Sequence, residues 1–279
     1  MMSSLDAVLA QYEKNQSGGA QSKMSQDERM KKYFALILGD KEKSGQRRIR
    51  ILPTVDGSSP FKEAWYHEIQ VGGQWQKFYD PGKNDNERSP LNEVYEELIA
   101  TGKQSDKDLA AQYRSRKFYI VKVIDRDHEE DGVKFWRFKH NYKNEGILDK
   151  IIPIWRNKGD ITDPNTGRDL IIELTKSKTG AGKEYTSVST IMYDDPCPIH
   201  TDKDLMNSWI NDELTWTDVY SKKPVEYLEA IARGETPKWD NEKGGYVYDS
   251  NSSNETSIGG SKSYEDPQFN SSPDDDLPF

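Results

Sequence analysis

The sequence predicts a mainly β fold with helical insertions and a disordered acidic tail, on three observations. Paired runs rich in β-branched and aromatic residues are joined by short polar or Gly-containing turns, the pattern of β-hairpins. Between the pairs stand segments whose apolar residues recur every three or four positions, the helical period. After Trp239 the composition collapses into Gly, Ser, Asn and Asp, too polar to bury a core. These observations divide the chain into an N-terminal arm over 1–28, a folded core over 29–236 and a tail over 237–279.

Leu5, Val8, Leu9 and Tyr12 fall on one face of a short amphipathic helix, which serves either as a frayed terminus or as an interaction arm. Arg47 to Leu52 alternates, with Ile49 and Ile51 on one face of a strand and Arg48 and Arg50 on the other. Residues 64–71 and 74–79 form a hairpin across Gly72-Gly73, with His67 on the face of Trp65, Ile69 and Val71. That placement favours a core histidine over a ligand. Leu91, Val94, Tyr95, Leu98 and Ile99 share a helical face opened by Pro90 and closed by Gly102. Arg114 to Tyr142 is a hairpin studded with cations and rings. Ile147 to Ile152 reads as a short helix ended before Pro153, and 169–176 with 184–192 as a third hairpin. Helices over 202–213 and 224–233 close the core. The strand number fits an OB-fold, a five-stranded Greek-key barrel.

Composition bounds the chemistry. Of 279 residues, 31% are charged and 33% hydrophobic, and the single Cys197 excludes a disulfide framework or a cysteine-rich zinc site. No apolar run reaches membrane-span length, and the first residues lack a secretory pattern, so a cytoplasmic protein is expected. The net charge of −9 is unevenly spread. Residues 240–279 hold nine acids against two lysines, whereas 26–143 hold 23 Lys and Arg against 20 Asp and Glu. Basic surfaces on the core are compatible with that distribution.

The 114–142 hairpin mixes cations with aromatic rings. Single-stranded nucleic acid needs both, phosphates held by Lys and Arg and bases stacked on rings. Arg114, Arg116, Lys117, Tyr119 and Lys122 lie on its first strand, and Trp136, Arg137, Lys139, Tyr142 and Lys143 on or just past its second. Alternation leaves two outcomes open: the Trp136 face stacks bases, or it is core and Phe135 with Arg137 forms the platform. Arg48 and Arg50 add charge, as do Lys176, Lys178, Lys183 and Tyr185 at the mouth of the third hairpin. Asp125 to Asp131 is expected to be a solvated loop. Gly180-Ala181-Gly182-Lys183 lacks the spacing of a phosphate loop and is expected to be a turn. No nucleophile–base arrangement can be assembled, so no enzymatic activity is expected.

The run Arg48-Ile49-Arg50-Ile51-Leu52-Pro53 with Ser59-Pro60-Phe61, and later Phe135-Trp136-Arg137-Phe138 with Leu148-Asp149-Lys150-Ile151, resembles the gene 32-type single-stranded DNA-binding proteins of large tailed phages. The resemblance extends over roughly residues 1–215. It implies an OB-fold that coats single-stranded DNA in replication, recombination and repair, with Trp136 and Tyr185 at base-contacting tyrosine positions. Trp136 would then point outward. The N-terminal helix would be a self-association arm, although the basic residues that usually precede it are missing. His67 matches a zinc-binding histidine of that family, but Ser89-Pro90-Leu91-Asn92 stands where the family has Cys-Pro-x-Cys, so no metal or other cofactor is expected. The last residues, Asp274, Asp275, Asp276, Leu277, Pro278 and Phe279, are similar to the tips with which bacterial single-stranded DNA-binding proteins recruit replication and recombination enzymes.

Overall fold

The computed structural model describes residues 26–143, 145–178, 182, 184–220, 222–240 and 245–247. The expected arm helix, Lys183 and the Asp274–Phe279 tip lie outside them. After a short helix α1 (Gln26–Lys31) and a two-residue strand β1 (Tyr33–Phe34), the chain enters β2 (Ser44–Ile51). The hairpin of β3 (Lys62–Val71) and β4 (Gln74–Tyr79) follows. Its two-residue turn is possible because Gly72 and Gly73 both take positive φ, 59° and 84°. Three helices come next: α2 (Pro81–Asp85), α3 (Pro90–Ala100) and α4 (Gln104–Tyr113). Helix α4 was not expected, because its mostly polar surface leaves only Ala110 buried.

The cationic hairpin consists of β5 (Ser115–Asp125) and β6 (Val133–Lys139). Helix α5 (Ile147–Lys158) then crosses to β7 (Arg168–Lys178) and β8 (Glu184–Pro196). Contrary to expectation, α5 runs through Pro153. Ile147, Leu148, Ile151, Ile154 and Trp155 continue one apolar stripe across the proline, which itself faces solvent. Helices α6 (Lys203–Ile210), α7 (Trp216–Val219) and α8 (Val225–Ala232) follow. A small hairpin of β9 (Lys238–Asp240) and β10 (Gly245–Val247) stands where the sequence predicted only disordered tail.

The architecture is mainly β with helices. The main sheet has eight strands: β1-β6-β5-β2-β7-β8 in order, with β3 joined to β5 and β4 to β3. Strand β5 is the hinge of the arrangement. Its Val123–Asp125 end pairs with β2 and its Ser115–Ile120 end with β3, while β6 runs along its other edge. Strands β2, β5, β6, β7 and β8 surround one core that includes Ile49, Ile51, Val121, Val123, Trp136, Phe138, Leu170, Ile172, Leu174 and Ile191, closed from one side by Ile151 and Ile154 of α5. The segment after β1 lies between the two ends of this wrap. Phe34 and Leu38 enter the core, β1 pairs in parallel with β6, and the Leu38 N–H donates to Thr186 Oγ1 on β8.

The other face of the cationic hairpin is also buried. Phe118, Ile120 and Phe135 pack with Ala64, Tyr66 and Tyr79 beneath Val219 and Tyr220. A third cluster joins the far end of β3–β4 to Leu91 and to Tyr227, Leu228 and Ile231 of α8. Among the described residues no helix is long and apolar enough to cross a membrane.

Candidate nucleic-acid interface

The two outcomes open for Trp136 resolve inward, and the resemblance-based expectation is corrected. Trp136 is 2% exposed and packs edge-on to Phe34, with Phe138 against it at 4.8 Å. In this fold its ring is a core side chain. The alternative platform of Phe135 and Arg137 is not open either. Phe135 is buried, and the Arg137 guanidinium lies over the rings of Tyr220 (4.4 Å), Tyr66 (4.8 Å) and Phe118 (5.8 Å). The reason is the inserted chain. An alternating strand normally leaves one face to solvent, but β3–β4 and the 214–220 segment cover the second face of this hairpin.

Arg50 is a second correction, because its side chain is fully buried. It pairs with Asp169 at 3.1 Å and donates to the carbonyls of Asp163 and Cys197. Gly167 makes this possible, since a Cβ there would stand 2.5 Å from the Asp163 oxygen and 2.9 Å from Arg50 Nη2. Asp169 also receives Arg48 and Arg126, and Arg48 reaches Asp194 while staying half exposed.

Most of the remaining cations are held by carboxylates. Glu68, itself nearly buried, takes both Arg116 (3.2 Å) and Lys139 (3.0 Å). Lys122 donates to the Asp212 carbonyl and carboxylate, and Lys134 bridges Asp125 and Asp131. The acidic loop is therefore ion-paired with the strand beside it, and Arg126 also binds Glu129. Among the described residues no group of three or more His, Cys, Asp or Glu is placed to hold a metal.

What the structure does bring together is a row at the proximal ends of β3, β5 and β6. Lys117 Nζ stands 5.7 Å from the Trp65 ring and 5.9 Å from the Tyr119 ring. Tyr119, 9% exposed and part of the same core as Trp136, meets His140 at 5.6 Å, and His140 meets Tyr142 edge-on at 4.3 Å. Tyr142 is 70% exposed. Exposed Lys143 follows it, and exposed Arg114 precedes β5. Lys117 is held by Glu63 at 2.8 Å, and that hydrogen bond pushes the ammonium pKa up, so the cation persists at neutral pH. Trp65, Lys83 and His140 were missed in the sequence. Trp65 had been grouped with core residues because alternation places it on the face of His67 and Ile69. Only the pairing of β3 with β5, opposite Lys117, brings it to the row.

The third hairpin carries its cations elsewhere. Lys176 reaches the Asp40 carbonyl at 3.4 Å, Lys178 pairs with Glu184, and Tyr185 is half-buried opposite Ser177.

The positions matched to the family's zinc ligands do converge, but on an aspartate. Asn92 Nδ2 donates to Asp80 Oδ1 at 2.8 Å, and His67 Nε2 lies 3.6 Å from the same oxygen. His67 Nδ1–H donates to the Tyr113 carbonyl, and Ser89 is buried nearby as the N-cap residue of α3. Burial would raise the Asp80 pKa; His67, Ser115 and Asn92 outweigh it and hold the carboxyl well below the usual range. One imidazole and one carboxylate beside an amide and a hydroxyl do not fit a structural zinc set.

No family model and no curated protein matches the chain.

Proposed function

We propose that the chain is a non-enzymatic single-stranded DNA-binding protein built on an OB-type barrel, coating DNA without sequence preference in phage replication, recombination and repair. The strand order supports the barrel. A long strand, β2, is shared between the β5–β6 and β7–β8 hairpins, and a helix crosses between β6 and β7. The observation that carries the binding reading is the row at the end of the hairpin in which one cation, Lys117, is followed by the rings of Tyr119, His140 and exposed Tyr142. Phosphates and bases of a flexible strand call for cations and rings together, and a duplex, whose bases are already stacked, does not. Arg114 and Lys143 extend the row, while Lys176, Lys178, Lys183 and Tyr185 supply a second cationic arm. The Asp274–Phe279 tip recruits replication and recombination proteins, and the N-terminal arm supports self-association along DNA.

A titration of fluorescent oligo-dT at two salt concentrations, with duplex as control, tests the reading. The expected result is tight binding to the single strand that falls steeply with salt, because neutralised phosphates release counterions. Binding that is weak and insensitive to salt would instead favour a recombination-mediator or interaction subunit using the same barrel. The pairing of Arg116, Lys117, Lys122 and Lys139 with carboxylates is the observation on that side.

A further inference from the structure

Trp65, like Trp75 of the same hairpin, stands apart from the apolar core. Among the described residues it belongs to none of the four apolar clusters, although the hairpin that carries it contributes to two of them. Its backbone is fixed on both sides. The Trp65 N–H donates to Asn84 Oδ1 at 2.9 Å, and its carbonyl accepts from Asn84 Nδ2 at 2.8 Å and from the Asp80 N–H at 3.0 Å. Asn84 is in α2, so the first helix of the insertion serves as a bracket for this one residue. The ring stays partly exposed, with Lys83 Nζ 4.1 Å over it and Lys117 5.7 Å away.

A large ring held at the surface on a bracketed backbone, flanked by two ammonium groups, suits a planar ligand joined to an anion. Lys83 is exposed, and an exposed cation over an indole is a weaker partner than a stacked base. We infer that Trp65 is a nucleobase-stacking platform supplied by the inserted hairpin, with Lys83 moving from the ring to the phosphate beside the stacked base. The inference rests on the single-strand reading above and deepens it: the insertion adds a subsite to the row on β5 and β6.

Trp65→Leu, which keeps apolar bulk and removes the ring, is compared with Trp65→Phe and Lys83→Ala on the full chain, after thermal melting confirms that each is folded. Each is titrated with fluorescent oligo-dT and with an abasic oligomer of the same length. Trp65→Leu is expected to weaken oligo-dT binding by roughly ten-fold, with Trp65→Phe retaining most of the affinity, and both binding the abasic strand like the parent. Lys83→Ala is expected to lower the slope of log K against log salt by about 0.7, one phosphate on a single strand. Parent-like affinity of Trp65→Leu for oligo-dT, or an equal loss on both strands, overturns the platform. An unchanged salt slope in Lys83→Ala overturns the phosphate contact. If the parent protein binds no single strand at all, the wider reading falls with the subsite, whereas a parent that binds beside a silent Trp65→Leu removes the subsite alone.

Discussion

Trp136 and Tyr142 lie six residues apart near the end of one hairpin and stand in opposite surroundings. Trp136 is enclosed by Phe34 and Phe138, whereas Tyr142 meets the edge of His140 and is 70% exposed. Trp136→Ala should therefore cost about 3–5 kcal/mol of stability through the cavity it leaves. Tyr142→Ala should change stability by less than about 0.5 kcal/mol while weakening oligo-dT binding by about 1–3 kcal/mol. Urea unfolding and fluorescence titration of both variants check the contrast, and a stable Trp136→Ala with specifically impaired binding would return that ring to the interface. Asp169 offers a second check. Its carboxylate serves Arg48, Arg50 and Arg126, and Arg50 has no route to solvent. Asp169→Ala should cost about 3–5 kcal/mol, since it strands a buried charge. Sequence alternation placed Arg50 correctly on the face away from Ile49. It could not show that the Asp163–Gly167 turn and Cys197 come back from more than a hundred residues away to cover it.

At the scale of elements, α8 and the β9–β10 hairpin meet through Lys223, Tyr227 and Tyr246. Lys223 Nζ donates to the Tyr246 hydroxyl at 2.9 Å and lies over both rings. Burial, aided by the nearby Arg29, lowers its pKa from 10.5 to about 8. A lysine depressed in the folded state is protonated more readily in the unfolded chain between those two values. Stability should therefore rise as pH climbs from about 8 towards 10. Above that range the buried tyrosines act in the other direction. Burial raises the Tyr220 hydroxyl to about 12, so the unfolded chain ionises first and stability falls again. Urea midpoints across this range should peak near the lysine's ordinary value, and Lys223→Met should abolish the rise on the alkaline side of neutrality. A flat profile in the parent would show that the ammonium is solvated.

Over the whole molecule the balance of charge is the governing quantity. The chain carries a net charge of −9, and residues 240–279, with nine acids against two lysines, account for −7 of it. On the core, Glu63, Glu68 and Asp212 hold the hairpin cations in place and reduce the positive field that a strand of phosphates would meet. If the tail competes for the same cations, deleting 267–279 should tighten oligo-dT binding most at low salt, where screening is weakest, and abolish partner recruitment. Equal affinity with and without those residues, at low salt, would remove the competition.

The local signals in the sequence determined most of the elements, because they depend on spacing alone. The period-two runs became β2 to β8, the apolar stripe after Pro90 became α3, and Gly72-Gly73 made its turn. The concentration of rings and cations on β5 and β6 was also legible, as was the region in which a binding surface would be sought. Tertiary structure decided which of those rings meets solvent. A strand's pattern gives two faces but not what covers them. Here a β-hairpin and three helices, inserted between β2 and β5, together with the 214–220 segment, bury the face that would otherwise be open. That packing takes Phe135 and Arg137 out of reach, while Trp136 lies in the core on the opposite face and Arg50 is covered by the Asp163–Gly167 turn and Cys197. It leaves a shorter row, from Trp65 through Lys117 and Tyr119 to His140 and Tyr142, drawn from three strands that only long-range pairing brings side by side.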